Sequence, residues 1–170
     1  MKRKRTENVY SVFRYYIIGF ITISFTICGC QKRVSDNILE TINKEMKSSE
    51  DCVVSIKSVT AFEWDTMFVF GELTQREEIE KAIGFSYNLN SGYVRDGYKK
   101  LMFTLNHEVV YEEDIKIEVN NYIEFNSVND SLHLSKLYLY YSNAEAIFKV
   151  KKVKSNSCSD CFAYVLTPKL

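Results

Sequence analysis

Proline occurs once and glycine six times in 170 residues, a scarcity that argues against long disordered tracts. Histidine occurs twice, at His107 and His133. Glu108 follows His107, but no second histidine lies four residues on, so the zinc-protease pattern fails. No G-x-S-x-G elbow, phosphate loop or calcium loop is present. Net charge is missing too, since 22 basic residues balance 22 acidic ones. No internal repeat or low-complexity segment stands out. The uncharged apolar run at residues 15–27 is shorter than the roughly 20 residues that a membrane span needs. These absences remove the common signatures of hydrolases, nucleotide binders and zinc proteases.

What is present begins at the N-terminus. Lys2, Arg3, Lys4, Arg5 and Arg14 precede the apolar run, which is the n-region and h-region pattern of a secretory signal. The run ends in Ile27-Cys28-Gly29-Cys30, followed by Gln31, Lys32 and Arg33. That stretch resembles the lipobox of bacterial lipoproteins: an aliphatic residue, a variable one, a small one, then cysteine. The resemblance implies that Cys30 receives a diacylglycerol thioether and becomes the new N-terminus. It also implies further acylation, such as palmitate, because one chain anchors only marginally. The expected division is a signal peptide at 1–29, a lipidated Cys30 with a short tether at 30–35, and a single globular domain at 36–170. The expected location is the bacterial cell envelope, membrane-anchored and outside the cytoplasm.

Cleavage would leave 141 of the 170 residues. It removes five basic residues and Glu7, leaving 17 basic against 21 acidic and a net charge of −4. A mildly acidic domain is a poor nucleic-acid binder, so no nucleic-acid partner is expected.

Along the domain, Ile38, Ile42 and Met46 recur at four-residue spacing and predict a helix over 36–49. Residues 52–62 read as a strand and 66–70 as a second, paired with it as a hairpin. Thr74-Gln75-Arg76-Glu77 reads as a capping box opening a helix with Ile79, Ala82 and Ile83 on its apolar face. Gly84 stands where a left-handed C-terminal residue belongs. Residues 86–97 read as loop. Strands are predicted at 101–105 and 109–111 around Asn106-His107, then from Ile115 through 125, at 132–141, 146–153 and 162–166. The sum is an α+β fold: two short helices packed on an antiparallel β-sheet in a single domain.

The segments 62–71, with Trp64-Asp65, and 77–85, with its acidic helix and Gly84, resemble a group of small, uncharacterised bacterial lipoproteins and secreted proteins. The resemblance covers about the middle third and implies architecture, not activity. The helix-then-sheet order is also similar to small outer-membrane assembly lipoproteins and β-lactamase-inhibitor-like modules.

Trp64-Asp65 is the most distinctive pair and has two readings. In one, Trp64 fills the core and Asp65 bonds turn amides; in the other, the pair binds a partner. Glu112, Glu113 and Asp114 offer either a cation site or a solvated charged turn. The turn is the leading reading, because calcium wants more oxygen ligands arranged around a loop. Cys158-Ser159-Asp160-Cys161 is a C-x-x-C, for which a disulfide is the plain expectation outside the cytoplasm. Cys52 is then left over, buried at the start of its strand; the other arrangement bonds Cys52 to one of the pair. No metal or cofactor is expected. The leading expectation is a non-enzymatic domain, held to the membrane by its lipid, that binds an unidentified envelope protein or component. The alternatives are a thiol–disulfide exchange protein using Cys158 and Cys161, and a purely structural envelope lipoprotein.

Overall fold

A computed structural model of the chain describes residues 32–47, 52–117, 122–126, 138–154 and 161–169. The signal-peptide reading, Cys28, Cys30, Gln31, His133, Cys158 and the loop readings at 127–131 and 155–160 lie outside the described residues.

Helix α1 (Val34–Glu45) buries Val34, Ile38 and Ile42 on one face, as their spacing requires. Strand β1 (Cys52–Ser55) follows and stops early. The sequence reading carried it to residue 62, but Ile56–Val59 makes one helical turn, α2. Here the Ser58 hydroxyl donates to the Ser55 carbonyl at 2.7 Å and the Thr60 hydroxyl to the Lys57 carbonyl at 3.3 Å. Such local bonds compete with a strand ladder. Strand β2 (Thr66–Phe70) leads to α3 (Arg76–Ile83), which ends at Gly84 with φ 84°. The capping box sits one residue later than the sequence suggests. Gln75 is the cap, and its N–H donates to Glu78 Oε2 at 2.9 Å. Thr74 instead donates its hydroxyl to the Gly71 carbonyl at 2.8 Å.

The remaining strands are β3 (Tyr98–Leu105), β4 (Glu108–Lys116), β5 (Tyr122–Phe125), β6 (Tyr138–Ser142), β7 (Ile147–Lys154) and β8 (Phe162–Pro168). Asn106 and His107 join β3 to β4 with φ values of 52° and 65°, the left-handed pair that a two-residue hairpin turn demands.

The expected single sheet is two. The first has the order β1-β7-β8-β5 and the second β4-β3-β2-β6. The anticipated β1–β2 hairpin is absent, because those strands belong to different sheets. Among the described residues every pairing is antiparallel except β5 with β8, which is parallel. Among the described residues the fold is therefore α+β and mostly sheet, with three helices and eight strands.

A core cluster draws on both sheets and on α1. It gathers Val54, Phe148, Leu166 and Ile123 of the first sheet, Met67, Val69, Leu101 and Phe103 of the second, and Ile38 and Ile42 of the helix. Tyr141 of β6 meets Phe148 of β7 edge-on at 4.9 Å, a direct link between the sheets. A second cluster joins Phe68, Phe70 and Met102 to Ile79 and Ile83 of α3 and to Val94. The second sheet thus buries apolar residues on both faces, which is why β2 reads as a continuous apolar run. Every helix and strand named above lies in one compact unit that begins at Arg33.

Candidate functional site

Trp64 and Asp65 lie just before β2 and are held on all sides. Trp64 is 4% exposed and packs edge-on against Phe103 at 5.1 Å. Its indole N–H donates to the Thr60 hydroxyl at 3.0 Å, and its carbonyl accepts from the Asn143 amide at 2.9 Å. Asp65 accepts the Thr104 hydroxyl at 3.1 Å and the Asn106 backbone N–H at 3.0 Å. Partial burial pushes its carboxyl up, but these bonds to the charged form outweigh burial and hold it below the usual range. Asp65 so ties β2 to the β3–β4 turn. His107 is exposed in that turn, edge-on to Phe85.

Cys52 opens β1 as a free thiol, 1% exposed. Burial, with a smaller contribution from Glu45, raises its pKa, so it stays protonated and weakly nucleophilic. Cys161 is buried, immediately before β8.

The acidic run is not a solvated turn. Glu112, Glu113 and Asp114 stand inside β4, and strand alternation sends the middle one to the opposite face from its neighbours. Glu113, its side chain 5% exposed, meets the start of α1. Its carboxylate accepts the Ser35 N–H at 2.7 Å, the Ser35 hydroxyl at 3.3 Å, the Tyr111 hydroxyl at 3.1 Å and Arg33 Nε at 3.0 Å. Helix α1 has no side-chain cap of its own. The carboxylate serves its first turn instead, where a negative charge also suits the helix dipole.

The other two acids meet Lys100 of β3. Lys100 is the register partner of Asp114, and its side chain is only 7% exposed. Its Nζ lies 2.9 Å from Asp114 Oδ1 and 3.9 Å from Glu112 Oε2. A lysine is buried this far only when paired. Arg95 Nη2 reaches Asp114 Oδ2 at 3.3 Å while its guanidinium stacks 4.2 Å over the Tyr98 ring. The Tyr87 hydroxyl donates to Glu112, and burial together with that carboxylate pushes the phenol far up, so it stays protonated. These side chains wall a concavity of about 270 Å³ beneath the 87–95 loop. The loop is pinned at several points. Tyr87 N–H donates to Glu80 Oε1 at 2.9 Å, Leu73 N–H to the Val94 carbonyl at 2.9 Å, and Arg76 N–H to the Gly92 carbonyl at 2.9 Å.

Sequence reasoning missed Lys100, Arg95 and Tyr87, which lie 12 to 25 residues from the acids they meet. The one usable signal was the Asn106-His107 turn, which fixes β3 against β4 and so sets Lys100 opposite this acidic run. Among the described residues no group of three or more His, Cys, Asp or Glu residues is placed to hold a metal ion. None of their helices is long and apolar enough to cross a membrane. No protein-family model matches the chain, and no curated protein or solved structure is significantly similar to it.

Proposed function

We propose that this chain is a lipid-anchored lipoprotein of the bacterial envelope whose domain is a non-enzymatic binding module. The observation that carries the reading is the spacing between anchor and fold. Cys30 closes the Ile27-Cys28-Gly29-Cys30 lipobox, and Arg33 already bonds Glu113 of β4. Only Gln31 and Lys32 intervene, and three residues of chain span at most about 11 Å. A lipid on Cys30 would hold the start of α1 at the membrane surface. The pinned 87–95 loop and its polar concavity support a binding role. Labelled palmitate should enter the wild-type protein in its native cells, and Cys30→Ser should abolish both labelling and signal removal. Label persisting in the variant would refute the anchor.

For the cysteines, the proposed pairing is Cys158 with Cys161, as a staple and not an exchange centre. A thioredoxin-type motif opens a helix, whereas Cys161 runs directly into β8. A bond from Cys161 to Cys52 does not fit the register. Cys52 pairs with Val150, and Val150 with Leu166, five residues beyond Cys161. Five residues of strand rise span roughly 17 Å, well past the ~7 Å that a disulfide tolerates between Cα atoms. Alkylation of the unreduced, unfolded protein should therefore label Cys52 of the mature chain and neither Cys158 nor Cys161. The native protein should resist the same label. Disulfide reductase activity that vanishes in Cys158→Ser would instead promote the exchange reading.

A further inference from the structure

The concavity under the 87–95 loop has a charge balance that selects among ligands. Its walls carry two cations, Lys100 and Arg95, and two anions, Glu112 and Asp114. The ion pairs consume one another, so the site presents no net field to attract a charged ligand. Hydrogen-bonding capacity remains. Asp114 Oδ1 is buried and taken up by the Lys100 ammonium at 2.9 Å, while the Asp114 side chain as a whole is partly exposed. The other oxygen, Oδ2, meets Arg95 at 3.3 Å and, with a second lone pair, can accept from a ligand hydroxyl. Asn88 and Asn90 are exposed on the same rim and bring amide donors and acceptors. Tyr93, 43% exposed beside them, offers a rigid amphipathic ring. Since backbone and side-chain bonds already fix the loop, binding costs little ordering entropy.

From this set we infer that the concavity binds a neutral, polyhydroxylated ligand of the saccharide class. Ring hydroxyls would donate to Asp114 and accept from Arg95 and the rim amides, and the apolar face of a sugar ring would lie on Tyr93. The volume of about 270 Å³ suits one or two sugar rings, so a trisaccharide seats its end there and leaves its remaining ring outside. The inference rests on reading the domain as a binding module but is independent of the lipid on Cys30.

The test uses the full chain in detergent micelles and calorimetric titration with four trisaccharides. Two are neutral, maltotriose and tri-N-acetylchitotriose; one is cationic, a glucosamine trimer; one is anionic, a galacturonate trimer. At least one neutral sugar should bind at millimolar concentration or below, and at least about tenfold more tightly than either charged one. Tyr93→Ala and Asp114→Asn should each weaken that binding by about tenfold. Tyr93 is a surface ring and Asn keeps the shape of Asp, and thermal unfolding of both variants verifies that the fold is intact. Failure of both neutral sugars to bind overturns the inference. So does equal or tighter binding of a charged trimer, or wild-type affinity in both folded variants. Labelling of Cys30 and crosslinking of the domain to a protein partner in cells would survive such a failure, so the two readings fall separately.

Discussion

Trp64→Ala should destabilise the protein by about 3–5 kcal/mol, the cost of truncating a large core side chain. Three losses combine. The indole leaves a cavity beside Phe103, against which it packs at 5.1 Å and 72°. The Thr60 hydroxyl loses its donor. The segment between α2 and β2 also loses the side chain that seats it, although Asn143 still holds the Trp64 carbonyl. Trp64→Phe should recover more than half of the loss, since it refills most of the volume and forfeits only the hydrogen bond, worth about 1 kcal/mol. Urea unfolding followed by far-UV circular dichroism measures both; Trp64 is the only tryptophan, so its fluorescence cannot report on the variants. Near-wild-type stability in Trp64→Ala would show that the ring is not seated in the core and would return it to the list of contact residues.

The same neighbourhood shows what the sequence could and could not tell. Helix α3 was legible because every cue is local: an acidic first turn, apolar Ile79 and Ile83, and a glycine at the end. The β3–β4 hairpin was legible for the same reason, from a two-residue turn between apolar runs. The division into two sheets was not. Strand β1 pairs with β7, some 95 residues later, and β5 pairs in parallel with β8; no local pattern encodes either. The Lys100 site was hidden by a smaller irregularity. Near the turn, Leu105 faces Glu108 and Thr104 faces Val109. Continued without a break, that register would set Lys100 opposite Glu113. A bulge between Phe103 and Thr104 shifts it by one, so Lys100 faces Asp114 and Leu101 faces Glu113. A shift of one residue exchanges the two faces of a strand. It therefore decides which carboxylate caps α1 and which ones hold the buried lysine.

That assignment makes Glu113 the second residue whose loss should be severe. Glu113→Ala should cost about 2–4 kcal/mol. Hydrogen bonds to a charged group contribute roughly 1.5–3 kcal/mol, and a carboxylate at a helix N-terminus adds about 0.3–1 kcal/mol. The Ser35 N–H and hydroxyl, the Tyr111 hydroxyl and Arg33 all lose their acceptor at once. Arg33 is half-exposed and returns to water, so no buried cation is stranded and the loss stays below that of a fully buried pair. Glu113→Gln should not rescue it fully. The amide keeps one acceptor oxygen but turns an N–H₂ toward groups that also donate. Glu108→Ala, an exposed change on the same strand, should stay within about 0.5 kcal/mol and serves as the control. Amide hydrogen exchange separates this mechanism from general weakening. Protection should fall first in Val34–Glu45 and only later in β2 and β3, because the lost acceptor belongs to the start of the helix. Uniform loss of protection, or none, would mean that α1 is held by Ile38 and Ile42 alone and that Glu113 is not its cap.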